Sequence, residues 1–139
     1  MKLVGTKMKM TQIWKDNIVI PVTPVKYNAT KEDLSFKIGD KVKVNGISKG
    51  KGFQGVVKRY GFGGGPKTHG QKNRQRAPGS IGNTAAQRVI PGRRMAGHMG
   101  SVRVNVKNLK IVDLKPEQKL VLLKGAIPGY VGGRVEINS

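Results

Sequence analysis

The sequence predicts a mainly β protein: a small closed or split β-barrel that carries a long irregular basic extension. Three observations predict it. Several short runs near both ends alternate apolar and polar residues, the period of half-buried strands. Helix signals are thin. Between about Gly50 and Gly100 neither period is sustained.

The strand signals run from one end of the chain to the other. Met1-Lys2-Leu3-Val4-Gly5 opens directly into strand-like sequence. Residues 18–25 read as a buried strand, with Pro21 and Pro24 pushing it toward an edge or a bulge, because proline has no N–H for a ladder. Lys41-Val42-Lys43-Val44-Asn45 alternates cleanly. Ser101-Val102-Arg103-Val104-Asn105-Val106-Lys107 does so over a longer span. Residues 120–123 form a short apolar run that suits a buried strand, and Arg134-Val135-Glu136-Ile137-Asn138 repeats the alternation. Turn signals separate them at Lys15-Asp16-Asn17, Gly39-Asp40, Asn45-Gly46 and Pro128-Gly129. Thr30 with Asp33 could cap one helical turn, and Lys115-Pro116-Glu117-Gln118 could start another. Only 5% of residues are aromatic, so the core is expected from Val, Ile and Leu. Residues 1–49 and 101–139 are expected to form the barrel, and residues 50–100 the extension.

The middle obeys different rules. Gly61-Phe62-Gly63-Gly64-Gly65-Pro66 cannot continue any element. Arg74-Gln75-Arg76-Ala77-Pro78-Gly79-Ser80 and Pro91-Gly92-Arg93-Arg94 are irregular and charged. Loops of about 4–6 residues are usual, so one this long points to function. Its few apolar side chains offset little ordering entropy, which predicts a segment that becomes ordered against a partner.

Charge says what kind of partner. The net charge is +20 over 139 residues. From Lys41 to Val112 there is no acid, yet these 72 residues hold 16 Lys or Arg, both histidines and 14 of the 20 glycines. All seven carboxylates lie outside: Asp16, Glu32, Asp33, Asp40, Asp113, Glu117 and Glu136. Positive charge left unopposed in the chain points to counter-charge on a polyanion, of which nucleic acid is the first. A membrane surface would call for an amphipathic helix or a long apolar run, and neither is present. Cysteine is absent, which rules out a disulfide framework and thiolate metal sites. No secretory or transit signal is read at the start, so the protein is expected to work where it is made.

Two glycine motifs need weighing. Gly50-Lys51-Gly52-Phe53-Gln54-Gly55 matches the dinucleotide pattern G-x-G-x-x-G literally. That site needs a helix opening after it and an acid about 20 residues on, but the next acid is Asp113. Gly61 to Thr68 nearly fits the P-loop, but Pro66 stands at the second required glycine and has no N–H for a phosphate. Glycines that let backbone approach phosphates closely are the better reading of the first motif, and a nucleotide-hydrolysis site is disfavoured for the second.

The candidate contacts for RNA are the basic residues, a few aromatic and hydroxyl side chains among them, and one strand arginine. The lysines are Lys49, Lys51, Lys58, Lys67 and Lys72. The arginines are Arg59, Arg74, Arg76, Arg88, Arg93, Arg94 and Arg103, whose planar fork grips phosphate and stacks on bases. Phe53, His69, Ser80 and His98 complete the set. His69 and His98 have no carboxylate or thiol near them in sequence to orient a base or complete a metal shell, so contact or stacking with RNA is expected of them. Lys2, Lys7, Lys15 and Lys119 read instead as a solvated surface. Met95 and Met99, around Ala96-Gly97-His98, read as core plugs where the extension rejoins the barrel, with flexible apolar contact to RNA as the alternative.

A run of these residues closely resembles the bacterial type of the ribosomal protein L3 (L-three) family of the large subunit. It comprises Ile47-Ser48-Lys49-Gly50-Lys51-Gly52-Phe53-Gln54-Gly55-Val56-Val57-Lys58-Arg59, then Gly61-Phe62, Thr68-His69-Gly70, Arg76-Ala77-Pro78-Gly79-Ser80-Ile81-Gly82 and Arg94-Met95-Ala96-Gly97-His98-Met99-Gly100. Gly5-x-Lys7, Met10-Thr11-Gln12, Pro21-Val22-Thr23, Gly39-Asp40 and Lys124-Gly125-Ala126-Ile127-Pro128-Gly129 extend the likeness over nearly the whole chain. The resemblance implies a translation-protein-like barrel with an extension that penetrates ribosomal RNA toward the peptidyl transferase centre. It implies early binding in assembly and no chemistry. Gly82, Asn83, Thr84, Ala85, Ala86 and Gln87 would form the extension tip. The chain departs from the family in three places. Only residues 28–35 bridge Tyr27 and Phe36, where the family has several dozen more. Lys9 replaces a glycine, and the tip is about one residue short.

The expectation is thus a structural constituent of the large ribosomal subunit that binds large-subunit RNA, supports assembly and touches neighbouring ribosomal proteins. No metal, cofactor, membrane or small-molecule substrate is expected. The ribosome would be cytoplasmic, with an organellar one left open. The alternative is a general nucleic-acid-binding architectural protein that bends or bridges duplexes. An enzyme is disfavoured because phosphoryl transfer and metal catalysis usually need carboxylates, which the centre lacks.

Overall fold

The computed structural model describes residues 2–28 and 36–139, so the cap expected from Thr30 and Asp33 lies outside the described residues. The chain divides into two compact units, Met1–Lys49 with Ser101–Ser139, and Gly50–Gly100. In chain order the elements are β1 (Lys2–Lys7), β2 (Thr11–Lys15), β3 (Ile18–Tyr27), β4 (Lys41–Ile47), β5 (Phe53–Gln54), α1 (Val56–Tyr60), β6 (Gly97–His98), β7 (Arg103–Lys115), β8 (Leu120–Lys124) and β9 (Arg134–Asn138).

The first unit is one antiparallel sheet in the order β1-β9-β4-β7-β8-β3-β2, with β1 also paired to β3. That extra pairing closes six strands into a ring, and β2 continues β3 as an edge. Closure satisfies the backbone on both sides of each ring strand and leaves fewer open edges. The mainly β, barrel-like fold expected from alternation is therefore present.

The ring is filled by the inward residue of each alternation. Leu3, Val25, Tyr27, Val42, Val44, Ile111, Val121, Leu123, Val135 and Ile137 are all buried, joined by Phe36 and Ile127. Each fully buried Val, Leu or Ile contributes about 1.5–3 kcal/mol relative to exposure. Gly5 sits where β1 is sandwiched between β9, at Val135, and β3, at Tyr27. A Cβ there would lie 2.6 Å from Lys26 O and 2.7 Å from Val25 Cγ1, so glycine lets β1 close the ring without strain.

Several expectations are corrected. Pro21 and Pro24 do not move β3 to an edge, because the strand pairs on both sides. In an antiparallel strand a residue's N–H and C=O point the same way. Pro24 O accepts from Met8 N, so its missing N–H faces the gap where β2 stops and β1 begins; Pro21 O accepts from Gly125 N, beyond the paired end of β8. Asn45-Gly46 is not a turn but lies inside β4, where a Cβ on Gly46 would meet Pro128 Cγ at 3.1 Å. Lys115-Pro116-Glu117-Gln118 starts no helix; it leads into the turn between β7 and β8. β7 runs on to Lys115, well past the alternation that ended at Lys107. Its register shifts opposite Lys43, with Asn108 at φ 60°, and again between Ile111 and Asp113. Each bulge resets the phase of alternation.

Candidate nucleic-acid interface

The second unit, Gly50–Gly100, is not wholly irregular. It has 51 residues, ten of them Lys or Arg and none acidic. Its only regular elements among the described residues are the β5–β6 ladder and α1. α1 opens after Gly55 without a side-chain cap and closes on Gly61 in the left-handed conformation at φ 74°, whose N–H donates to Val57 O. Lys58 and Arg59 lie in its last turn, where the helix dipole favours cations. The G-x-G-x-x-G run is thus followed by a helix of only five residues, and no helix follows the near P-loop.

β5 and β6 pair Phe53 with His98 and Gln54 with Gly97. Flanking bonds extend the ladder: Lys51 N donates to Met99 O at 2.9 Å, and Met99 N to Gly52 O at 3.0 Å. The rings of Phe53 and His98 meet edge to face, with centroids 5.9 Å apart and an interplanar angle of 85°. The opposite face is covered. A Cβ on Gly97 would lie 2.5 Å from Arg59 Nη1, and that same nitrogen donates to Met95 O at 2.8 Å. The Arg59 guanidinium also lies 5.0 Å from the Tyr60 ring centre, with Arg94 at 5.6 Å and Phe62 tilted at 6.1 Å. Arg59 is therefore half-buried and used inside the unit as a clamp between α1 and the approach to β6. Met95 is 38% exposed, so it is not a buried plug.

Elsewhere in the unit, backbone contacts set the shape. A Cβ on Gly65 would lie 2.9 Å from Arg74 O, and Gly65 N donates to Gln75 O at 2.9 Å. Gly65 therefore admits the backbone of Arg74 and Gln75 close to its own. Ser80 Oγ donates to Gly82 O at 2.8 Å, and the Arg93 guanidinium donates to Ser80 O. At the expected tip, Asn83 Oδ1 accepts from Ala86 N at 3.1 Å and Gln87 takes φ 49°. Lys51, Lys58, Lys67, His69, Lys72, Arg74, Arg76, Arg88, Arg93 and Arg94 are all exposed.

Two expected contacts, Lys49 and Arg103, belong to the first unit, and both are exposed. Arg103 is already paired: its Nη2 reaches Glu136 Oε2 at 2.6 Å. Lys2 Nζ stands 3.1 Å and Arg134 Nη2 3.9 Å from the other carboxylate oxygen. The hydrogen bond from Lys2, with Coulomb attraction from all three cations, holds the Glu136 carboxyl below its ordinary range despite partial desolvation. Beside them Asn45 is buried, with Oδ1 lacking a partner among the described residues. The sequence offered no signal for this cluster, because its members come from three strands.

Lys7, read as solvated, is also recruited: its ammonium donates to Ile127 O and Gly129 O, each at 2.7 Å. Burial first, then the Lys49 charge, pushes its pKa down. Among the described residues no three His, Asp or Glu cluster as metal ligands, and no helix is long and apolar enough to cross a membrane.

A strand ring joined to an acid-free polycationic unit defines a class of small basic β proteins. The ribosomal protein L3 family model matches residues 13–121. The chain is 56% identical over 103 residues to large ribosomal subunit protein uL3 of Desulforapulum autotrophicum, covering 73% of this chain and 49% of that protein. The protein of the same name from Chlorobium limicola is 56% identical over 106 residues, covering 76% and 51%. That from Dehalococcoides mccartyi is 54% identical over 95 residues, covering 68% and 46%. The chain belongs to the ribosomal protein L3 family, and it spans about half the length of these relatives.

Proposed function

We propose that the chain is a structural constituent of the large ribosomal subunit that binds large-subunit ribosomal RNA. One observation carries this reading: the unit Gly50–Gly100 presents nine exposed Lys or Arg without a single acid, in a chain of this family. Phosphates of packed RNA helices repel one another, and interleaved cations relieve that repulsion. The strand ring supplies the folded anchor, and the second unit is the arm that enters RNA. Thr68-His69-Gly70 and residues 74–82 run along the arm, residues 82–87 form its tip, and the arm approaches the peptidyl transferase centre. In that role the chain supports assembly, touches neighbouring ribosomal proteins and catalyses no reaction. A ribosome in the cytoplasm is the site of action.

Competition binding tests the reading. Folded large-subunit RNA should displace the chain from bulk duplex DNA at equal phosphate concentration and physiological salt. Equal affinity for the two would instead favour a general architectural nucleic-acid binder.

A further inference from the structure

The β5–β6 ladder has one covered and one open face. On the covered face lies Gly97, beneath the Arg59 guanidinium. Phe53 and His98, the neighbouring pair of the ladder, stand directly opposite one another and share the other face. Phe53 keeps 67% of its surface exposed, and His98 is exposed too. A two-residue ladder is too small to hold itself, and here it is held by the flanking bonds at Lys51, Gly52 and Met99 and by the clamp behind it. The edge-to-face packing of His98 against Phe53 fixes the angle between the rings. The result is an aromatic ledge, backed and flanked by hydrogen bonds, inside a stretch that carries cations and no acids from Lys41 to Val112.

We infer that Phe53, steadied by His98, is a stacking platform for one unpaired RNA base. The inference rests on the RNA-binding reading above and specifies its chemistry at this position. Charge selects the occupant. An apolar protein segment would find the aromatic ledge but gain nothing from the surrounding cations. An unpaired nucleotide offers a π-face to the ring and a phosphate to Lys51, two residues before it in the same unit. Bases within a duplex have their faces taken by their neighbours, so the platform discriminates single-stranded from paired RNA.

The test uses the full chain and two probes, single-stranded oligoadenylate and a duplex RNA of the same length. Phe53→Leu, which keeps the bulk and loses the ring, should weaken single-strand binding roughly 5- to 100-fold and leave duplex binding unchanged. Phe53→Tyr should restore it. Trp14 is the only tryptophan in the chain. In a Trp14→Phe background, Phe53→Trp should therefore be quenched by oligoadenylate and not by duplex. Equal single-strand affinity of the Leu variant, or binding without quenching, overturns the platform while RNA binding stands. Failure of the unaltered chain to bind either RNA overturns the wider reading and the platform with it.

Discussion

Replacing Gly5 with alanine puts a methyl group into the seam that closes the ring. The new carbon would lie 2.6 Å from Lys26 O and 2.7 Å from Val25 Cγ1. Neither neighbour can retreat freely. Lys26 is held between strands, opposite Thr6 on one side and Leu120 on the other, and Val25 is fully buried. Relief therefore requires β1 and β3 to part, which strains the pairing that turns an open sheet into a ring. Overpacking of a well-packed core typically costs about 1–3 kcal/mol. Against this, alanine lowers the entropy of the unfolded chain and returns about 0.4–1 kcal/mol. The two ranges leave a net loss between about 0 and 2.6 kcal/mol; the two tight contacts, one to backbone, place it in the upper half, a drop of several degrees in Tm for a chain of this size. Urea unfolding followed by far-ultraviolet circular dichroism reads it directly. Gly63→Ala is the control, since a Cβ there meets nothing within 4 Å, and it should stay within about 0.5 kcal/mol of the parent. A Gly5→Ala chain as stable as the parent would show that the β1–β3 seam is not tightly closed.

Three further outcomes follow from named contacts. Lys7→Met strips the donors from Ile127 O and Gly129 O; it should cost about 1 kcal/mol or more, measured by the same urea titration. Gly97→Ala drives Arg59 off Met95 O; amide exchange of Met99 should speed up while amides in the core of the ring keep their protection. For Glu136, folding lowers the carboxyl pKa, so its contribution to stability is present above the unfolded pKa and is lost as pH falls through the lower folded value. Glu136→Gln should accordingly destabilise at neutral pH and converge on the parent in acid; a difference independent of pH would rule out the ionised carboxylate as the cause.

The ring was legible where strands are short and unbroken. Residues 134–138 alternate without interruption and form β9 with those bounds. Residues 103–115 did not read as one strand, because two bulges shift the inward face midway along β7. Gly46 misled in the opposite direction: after an asparagine it signals a turn, but here it makes room for Pro128 and Val135 inside β4. The acid-free stretch was plain from composition alone. What composition could not show is which cations are already engaged. Arg59 is folded back on Met95, and Arg103 on Glu136, through contacts 36 and 33 residues apart in sequence. Nothing local in the chain encodes such pairs.

The salt dependence of RNA binding reports how many phosphates the unit Gly50–Gly100 meets. With Arg59 turned inward, nine exposed cations of the unit Gly50–Gly100 remain to meet phosphates. Log affinity for large-subunit RNA should then fall against log salt with a slope of about −6 to −8. Changing Lys72, Arg74, Arg76 and Arg88 to glutamine should reduce that slope by about 3–4. A shallow slope in the unaltered chain, or one that the four replacements leave unchanged, would contradict binding through this unit.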